Sequence, residues 1–141
     1  MTSWSEFEGL VEWREVEGVS TLLRETCEAT KLAPEMEWVL EVVKETAALL
    51  PASIIEGRES EYLAEYILGV NAARNALIVA TYCFDFLRGE GLMDAGTVNR
   101  VEERLAELET KLASLTDTLR RNLSLRPVRR RFSNNRVTSN R

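Results

Sequence analysis

Leu-Pro-Ala-Ser-Ile-Ile-Glu-Gly, at residues 50–57, places a proline inside a run whose spacing favours a buried helix. Within a helix, proline removes one backbone hydrogen bond and clashes with the carbonyl of Ala47, at a cost of about 3 kcal/mol. The helix therefore either ends before the proline or bends at Pro51 and continues to Gly57. We favour the bent continuation, because the two isoleucines after the proline would otherwise lie in a solvated loop.

Further helices are predicted on both sides of this stretch, because apolar residues recur there at three- and four-residue spacing. The predicted helices cover residues 5–30, 35–57 and 60–88, and a fourth helix is predicted to end near Leu123. Pro34 suits the first position of the second helix, where a backbone N–H would have no partner. The fourth helix has the clearest pattern, a seam that packs against neighbouring helices. Its members are Val98, Val101, Leu105, Leu108, Leu112, Leu115 and Leu119.

The second half of the third helix is apolar on nearly all sides, which is typical of a helix covered on several faces. We expect part of this cover to come from another copy of the protein. With only three prolines and seven glycines, the composition indicates an all-α fold. The predicted architecture is an antiparallel up-down four-helix bundle over residues 1–123, with the second helix kinked at Pro51. A flexible, arginine-rich tail over residues 124–141 is predicted to follow it.

Charge divides the chain into two parts. Residues 1–117 hold 10 basic and 23 acidic residues, whereas residues 118–141 hold eight arginines and no acid. A basic segment without acids is typical of a nucleic-acid-binding arm, because neutralised phosphates release counterions. The tail could also dock on an acidic surface of a neighbouring subunit or partner protein, or remain solvated. The candidate binding residues are Arg120, Arg121, Arg126, Arg129, Arg130, Arg131 and Arg136.

No recognisable pattern of catalytic or metal-binding residues is present in the sequence. The chain has no histidine, which excludes Ser-His-Asp and Cys-His catalysis and the Glu-x-x-His ligands of di-iron bundles. Cys27 and Cys83 lie far apart in apolar patterns and are predicted to be buried free thiols. Glu56 could be a perturbed carboxylate, but a structural interpretation is favoured: Glu56 joins helix ends, and Gly57 supplies the positive φ of a helix stop. No catalytic, cofactor-binding or metal-binding residue is predicted.

The three tryptophans and the hydropathy pattern lead to two more expectations. Trp4, Trp13 and Trp38 are predicted to be core anchors or subunit contacts rather than base-stacking residues, because the local charge is negative. The longest charge-free stretches are ten residues, whereas a membrane span needs about 20, so no membrane span is predicted. The acidic N-terminus lacks the pattern of a signal peptide, and a cytoplasmic location is therefore expected.

Two motifs and one long helix together resemble a known family. Phe7-x-x-Leu10-x-x-Trp13 comes first, the stretch at residues 50–57 follows, and the apolar third helix comes next. In this order and spacing they resemble the four-helix-bundle proteins encoded in intervening sequences of bacterial 23S rRNA genes. The middle signature of that family is close to Ile-Pro-x-Asn-Ile-Ala-Glu-Gly. Four positions match it, Pro51, Ile54, Glu56 and Gly57, whereas Leu50, Ser53 and Ile55 differ.

The resemblance covers about residues 7–123 and implies a bundle whose second helix continues through the proline. The accessory variability determinants of diversity-generating retroelements share that fold. Relatives assemble as ring-like homopentamers, and the retroelement members bind nucleic acid and a reverse transcriptase through a basic surface. Where the family has a pair of basic residues before the proline, this chain has Lys44-Glu45. The arginine-rich tail is therefore the better candidate for such a surface here.

The function predicted from the sequence is that of a non-enzymatic, homo-oligomeric accessory protein that binds RNA or a nucleoprotein partner, such as a reverse transcriptase, through its tail. The alternative is a structural scaffold or protein-protein interaction module with an acidic body and no role with nucleic acid. Neither function involves a cofactor or a small-molecule substrate.

Overall fold

The computed structural model of the chain describes residues 13–125, and these form four α-helices packed together. Helix α1 is Trp13–Glu28, α2 is Glu37–Arg58, α3 is Leu63–Gly89 and α4 is Ala95–Leu125. A short 3-10 turn, Pro34–Met36, leads into α2 and has its proline at the predicted starting position. The all-α class and the number of helices are confirmed for this part of the chain, which contains no β-strand.

Each helix packs against two others: α2 lies against α1 and α3, and α4 lies against α3 and α1. The seam of α4 faces this shared core, and all seven of its predicted members are buried. Most of the apolar positions predicted for the other three helices are buried as well, including Val16, Val43 and Phe84. Helical periodicity therefore identified most of the core correctly.

Helix α2 continues through Pro51, as predicted, and ends at Arg58, one residue beyond the predicted end at Gly57. Of the two isoleucines after the proline, Ile54 is buried, whereas Ile55 is partly exposed. Leu49, shortly before the proline in the same apolar run, lies on the exposed side of α2. Fewer of the apolar side chains of α2 are therefore buried than its sequence suggests.

The carbonyl oxygen of Ala47 shows how α2 accommodates the proline. In an uninterrupted helix the backbone N–H of residue 51 would donate to this carbonyl, but Pro51 has no N–H. The hydroxyl of Ser20, on α1, donates to the Ala47 oxygen instead, at 2.7 Å and in buried surroundings. This bond between α1 and α2 satisfies the acceptor that the proline leaves open.

We expect Ser20→Ala to lower the free energy of unfolding by about 1–3 kcal/mol, because it leaves a buried carbonyl oxygen without a donor. Adding Pro51→Ala supplies the missing N–H, so the double variant should recover most of the loss. Urea denaturation of the two single variants and the double variant measures this coupling. Ser114→Ala, at an exposed position of α4, is the control. Equal losses from Ser20→Ala with proline or alanine at position 51 would contradict the assignment.

Gly57 is not the helix stop that the sequence suggested. It lies inside α2 without a positive φ, and it is buried where α2 crosses α3. A Cβ atom at Gly57 would lie 3.0 Å from the Tyr66 Cα, and one at Gly69 would overlap the carbonyl oxygen of Ser53. These two glycines therefore allow close approach of two backbones. The positive φ among the described residues belongs to Gly91, in the turn between α3 and α4.

Glu56, expected to join helix ends, has an exposed side chain instead. Cys27 and Cys83 are buried and free, as predicted. Burial raises the pKa of the Cys27 thiol to about 11 and raises that of Cys83 as well. Both thiols therefore stay protonated near neutral pH, which makes them poor nucleophiles.

Helix α3 meets the length and composition of a membrane-spanning helix, and it is the one described helix that does so. Its most apolar window has a mean hydropathy of 1.3, and 44% of that window is buried inside the bundle. The core helix of a globular protein meets the same criteria, so this is weak evidence for a span.

Several predictions fall outside residues 13–125. They concern the start of the first helix, Trp4 and the tail beyond Leu125. Helix α4 extends two residues past the predicted end of the bundle. The division between bundle and tail therefore stays a prediction.

Candidate interaction surfaces of α3 and α4

One side of α3 presents large apolar side chains to solvent. We call this side the α3 outer face, and it consists of Leu68, Ile78, Val79, Tyr82 and Phe86. Tyr82 has the most accessible side chain of the five, at 77%. Trp38 of α2 extends the surface, since its ring centroid lies 6.4 Å from that of Phe86. On a single copy of the chain, these residues leave apolar side chains exposed along one side of α3.

The sequence explains why this face is uncovered. Apolar residues surround the second half of α3, but only the stripe containing Val70, Leu77 and Phe84 faces the core. The single chain therefore covers the stripe, and the cover that was expected from another copy stays a prediction. Trp38 is 58% exposed, so it is not a core anchor. Trp13 is half-buried against the core.

A groove of about 650 Å³ runs between α3 and α4. Its floor and walls are mainly apolar, and acidic side chains lie along its rim. The residues that line it are Leu77, Ile78, Val79, Thr81, Tyr82, Asp85, Glu102, Leu105, Ala106 and Glu109. The groove therefore borders the α3 outer face and combines apolar surface with negative charge.

Two arginines of α3 form ion pairs with the acidic side chains at the two ends of the groove. At one end Arg74 binds Glu109 with two guanidinium nitrogens, at 2.9–3.2 Å. This two-point geometry is the strong form of an arginine-carboxylate pair. At the other end Arg88 lies 2.9 Å from Asp85, and its second nitrogen is 3.6 Å from Glu102 Oε1. Through these contacts, the two arginines link α3 to α4 at both ends of the groove.

Glu102 is the most perturbed carboxyl among the described residues. Its Oε2 atom is buried and has no hydrogen-bond partner there. Burial raises the pKa of Glu102 from 4.5 to about 7; hydrogen bonding to Asp85 and repulsion from its charge add to the rise, and Arg88 opposes it. A protonated Glu102 can donate to Asp85, whereas an ionised one leaves two carboxylates side by side.

We expect wild-type stability to fall by about 1–2 kcal/mol between pH 5 and 8, and Glu102→Gln to abolish most of that fall. A raised folded-state pKa favours folding fully below the unfolded value of 4.5, and the benefit is lost as the pH rises through about 7. Glutamine keeps a donor for Asp85 and carries no charge. The chain has no histidine, so few other side chains titrate in this window.

Urea denaturation at both pH values measures the difference for each variant. Glu103→Gln removes a carboxylate from an exposed neighbouring position and is the control that should retain the wild-type pH dependence. A wild-type protein that becomes more stable from pH 5 to pH 8 would show that Glu102 is ionised throughout.

The predicted binding arginines lie apart from this groove where the structure describes them. Arg120 and Arg121 have exposed side chains near the end of α4, and Arg121 donates to Thr118 Oγ1 at 3.3 Å. Arg126, Arg129, Arg130, Arg131 and Arg136 lie outside the described residues. The sequence does not reveal the groove, because Asp85 and Glu102 are 17 positions apart in the chain and each resembles an ordinary surface acid.

Within residues 13–125, no group of three or more side chains is arranged to hold a metal ion. The groove offers carboxylates and arginines that neutralise one another, together with apolar surface. Such a combination can receive an apolar side chain and a cation.

No protein-family model matches the chain, and no curated protein matches it. A function for this chain must therefore be inferred from its own residues.

Proposed function

We propose that this chain is a non-enzymatic, homo-oligomeric helical-bundle accessory protein that binds RNA or a nucleoprotein partner through its C-terminal arginines. The observation that carries the proposal is the separation of charge along the chain. Residues 13–125 hold 12 basic and 20 acidic residues, whereas residues 126–141 hold six arginines and no acid. The resemblance to proteins of 23S rRNA intervening sequences supports a cytoplasmic protein of this kind, with a reverse transcriptase as one candidate partner.

The proposed bundle is antiparallel and up-down, with α2 bent at Pro51. Contacts between neighbouring helices support this arrangement. Between α1 and α2, Ser20 bonds Ala47, while Cys27, later in α1, contacts the earlier Leu40 carbonyl at 3.7 Å. Between α3 and α4, Arg74 pairs with Glu109, and Arg88 pairs with the earlier Glu102. In both pairs of helices, the residue numbers rise in one helix as they fall in the other.

The α3 outer face supports self-association. An exposed group of five large apolar side chains, with Trp38 next to Phe86, is typical of a protein-protein contact. A second copy would cover apolar side chains that a single chain leaves in water. The resemblance suggests that five copies form a ring, so we propose a homopentamer.

The end of α4 supports a role for the tail in nucleic-acid binding. Arg120 and Arg121 are exposed there and lead directly to Arg126 and the three arginines at residues 129–131. Arginine binds phosphate with two nitrogens at once, and Phe132, next to the triplet, offers a ring for base stacking. In a ring, several copies of the segment would act together and increase the affinity.

A scaffold that binds only proteins is the second candidate. The apolar α3 outer face and the acidic surface favour it, because neither attracts a polyanion. In that case the arginine-rich segment would bind an acidic partner protein instead of RNA.

We expect the intact protein to bind single-stranded RNA with an affinity that falls steeply as salt increases. Each phosphate neutralised on a single strand contributes about −0.7 to the slope of log K against log salt. Replacing Arg129, Arg130 and Arg131 with glutamine should therefore make the slope shallower by about 2. Fluorescence anisotropy at several salt concentrations measures the slope.

The matched control replaces Arg100 and Arg104, which have exposed side chains on α4, with glutamine. This control should leave the slope nearly unchanged. Absence of RNA binding by the intact protein, or equal slopes for the two sets of variants, would exclude the RNA role and leave the scaffold.

A further inference from the structure

We propose that the α3–α4 groove is the docking site of the chain's own C-terminal segment, residues 126–141, folded back onto the subunit that carries it. The inference does not rest on RNA binding. It follows from the surface that the groove leaves unfilled, from the charge of its rim, and from the composition and length of the segment.

In the described structure, the groove has exposed apolar surface and a buried oxygen atom without a hydrogen-bond donor. Ile78 and Tyr82 expose apolar surface at its edge, and Glu102 Oε2 is buried there without a hydrogen-bond donor. Buried carboxylate oxygens usually have donors, and an arginine is a suitable one because its guanidinium supplies several N–H groups in one plane. A segment with both apolar side chains and guanidinium groups would cover this apolar surface and donate a hydrogen bond to this oxygen.

When Glu102 is ionised, the acidic groups of the rim outnumber its two paired arginines. Asp85, Glu102 and Glu109 carry three carboxyl groups, and Arg74 and Arg88 are the cations that contact them. Asp117 adds to the acidic side near Arg74. An arginine-bearing segment would therefore be attracted to this rim, whereas an acidic peptide would be repelled.

The composition of residues 126–141 matches the groove. The segment has six arginines and no acid, and Val128, Phe132 and Val137 are spaced among them. Of these, Val137 lies in the part of the segment that can reach the groove, where its side chain can cover apolar surface next to Leu77 and Leu105. Arginine stems can also lie across apolar surface while their guanidinium groups reach the carboxylates.

The segment is long enough to reach the groove within one subunit. Glu109 and Glu102 lie about 24 and 35 Å from the end of α4, at about 1.5 Å per helical residue. A 16-residue segment spans up to about 53 Å when extended, at about 3.3 Å per residue. Pro127 disfavours continuation of the helix, which favours a change of direction near Leu125. About the last eight residues, which include Arg136, Val137 and Arg141, can therefore lie along the groove.

Disulfide trapping in the full-length chain tests this placement. One cysteine replaces Ala106, which lines the groove, and a second replaces Ser139 in the segment. A disulfide forms when the two Cα atoms approach to about 4.4–6.8 Å, so trapping under a mild oxidant reports docking. The native Cys27 and Cys83 are buried, and burial raises the pKa of both thiols, so they compete little. The reaction is run without RNA, so its result is separate from that of the RNA titration.

We expect the Ala106→Cys, Ser139→Cys protein to form an internal disulfide that migrates as a monomer. The matched control moves the first cysteine to Ala48, an exposed position on α2 that does not line the groove. It should be trapped about tenfold more slowly. Adding Glu102→Gln should slow trapping at Ala106 by about tenfold, as expected for loss of one charge-assisted hydrogen bond. Glu56→Gln, at an exposed position of α2, should not slow it.

Three results would overturn the proposal. Equal trapping at Ala106 and Ala48 would mean that the segment collides at random with the surface. A covalent dimer as the main product would mean that the segment docks on another copy. Unchanged trapping with both Glu102→Gln and Ile78→Ser would mean that neither the carboxylate nor the apolar edge of the groove holds it; Ile78 is exposed, so its replacement spares the core.

Discussion

Phe84→Ala is expected to lower the free energy of unfolding by about 3–5 kcal/mol, because it removes a large side chain from the core and leaves a cavity. Phe84 is fully buried, at 0% exposure, in the stripe of α3 that faces the other helices. A loss of this size is comparable to the whole stability of a small domain. Urea denaturation followed by circular dichroism measures the change.

Phe86→Ala is the matched control, because it makes the same replacement two residues further along the same helix. Phe86 is 37% exposed on the α3 outer face, so its removal should cost less than about 1 kcal/mol in the stability of one copy. If this face holds copies together, Phe86→Ala should instead weaken self-association in sedimentation experiments. Similar losses of stability for the two variants would mean that the outer face is part of the core.

Gly69→Ala is expected to lower the free energy of unfolding by at least about 2 kcal/mol, although alanine is the better helix former by about 1 kcal/mol. The new Cβ atom would overlap the carbonyl oxygen of Ser53 and would also lie 3.2 Å from the Cα of Gly57. Both are backbone atoms, so no side chain can rotate away. Relief requires α2 and α3 to separate, and this loosens the packing between them.

Gly89→Ala is the control for this replacement. Gly89 is the last residue of α3, and a Cβ atom there would have no neighbour within 4 Å. Its replacement should be neutral or slightly stabilising, since only the gain in helix propensity applies. If Gly69→Ala proves as stable as Gly89→Ala in urea denaturation, close backbone approach between α2 and α3 is not what requires a glycine at position 69.

The sequence predicted the helices well because their signals are local. The seam of α4 depends on spacing within one segment, and it is confirmed. The continuation of α2 through Pro51 also followed from nearby residues. The prediction for Gly57 was wrong because a glycine after a helix and a glycine at a helix crossing look the same in a sequence. Only the position of α3 distinguishes them.

The groove could not be predicted for a related reason. Its carboxylates, Asp85 and Glu102, come from two helices separated by a turn, and the raised pKa of Glu102 depends on how deeply the packed helices bury it. The α3 outer face was partly predictable, since α3 is apolar nearly all round. Periodicity identified the core-facing side of α3, but it could not show that the apolar residues on the other side are left exposed by a single copy.

The hydroxyl of Ser20 and the ring of Pro51 have a consequence for how sequences of this fold can diverge. Losing the hydroxyl alone removes the donor of the Ala47 carbonyl, whereas a non-proline residue at position 51 restores a donor within α2. The order of change over evolutionary time is thus constrained, and the proline has to be lost before or together with the serine. Among homologues, we therefore expect a hydrogen-bond donor at position 20 wherever position 51 is proline, and free variation at position 20 elsewhere.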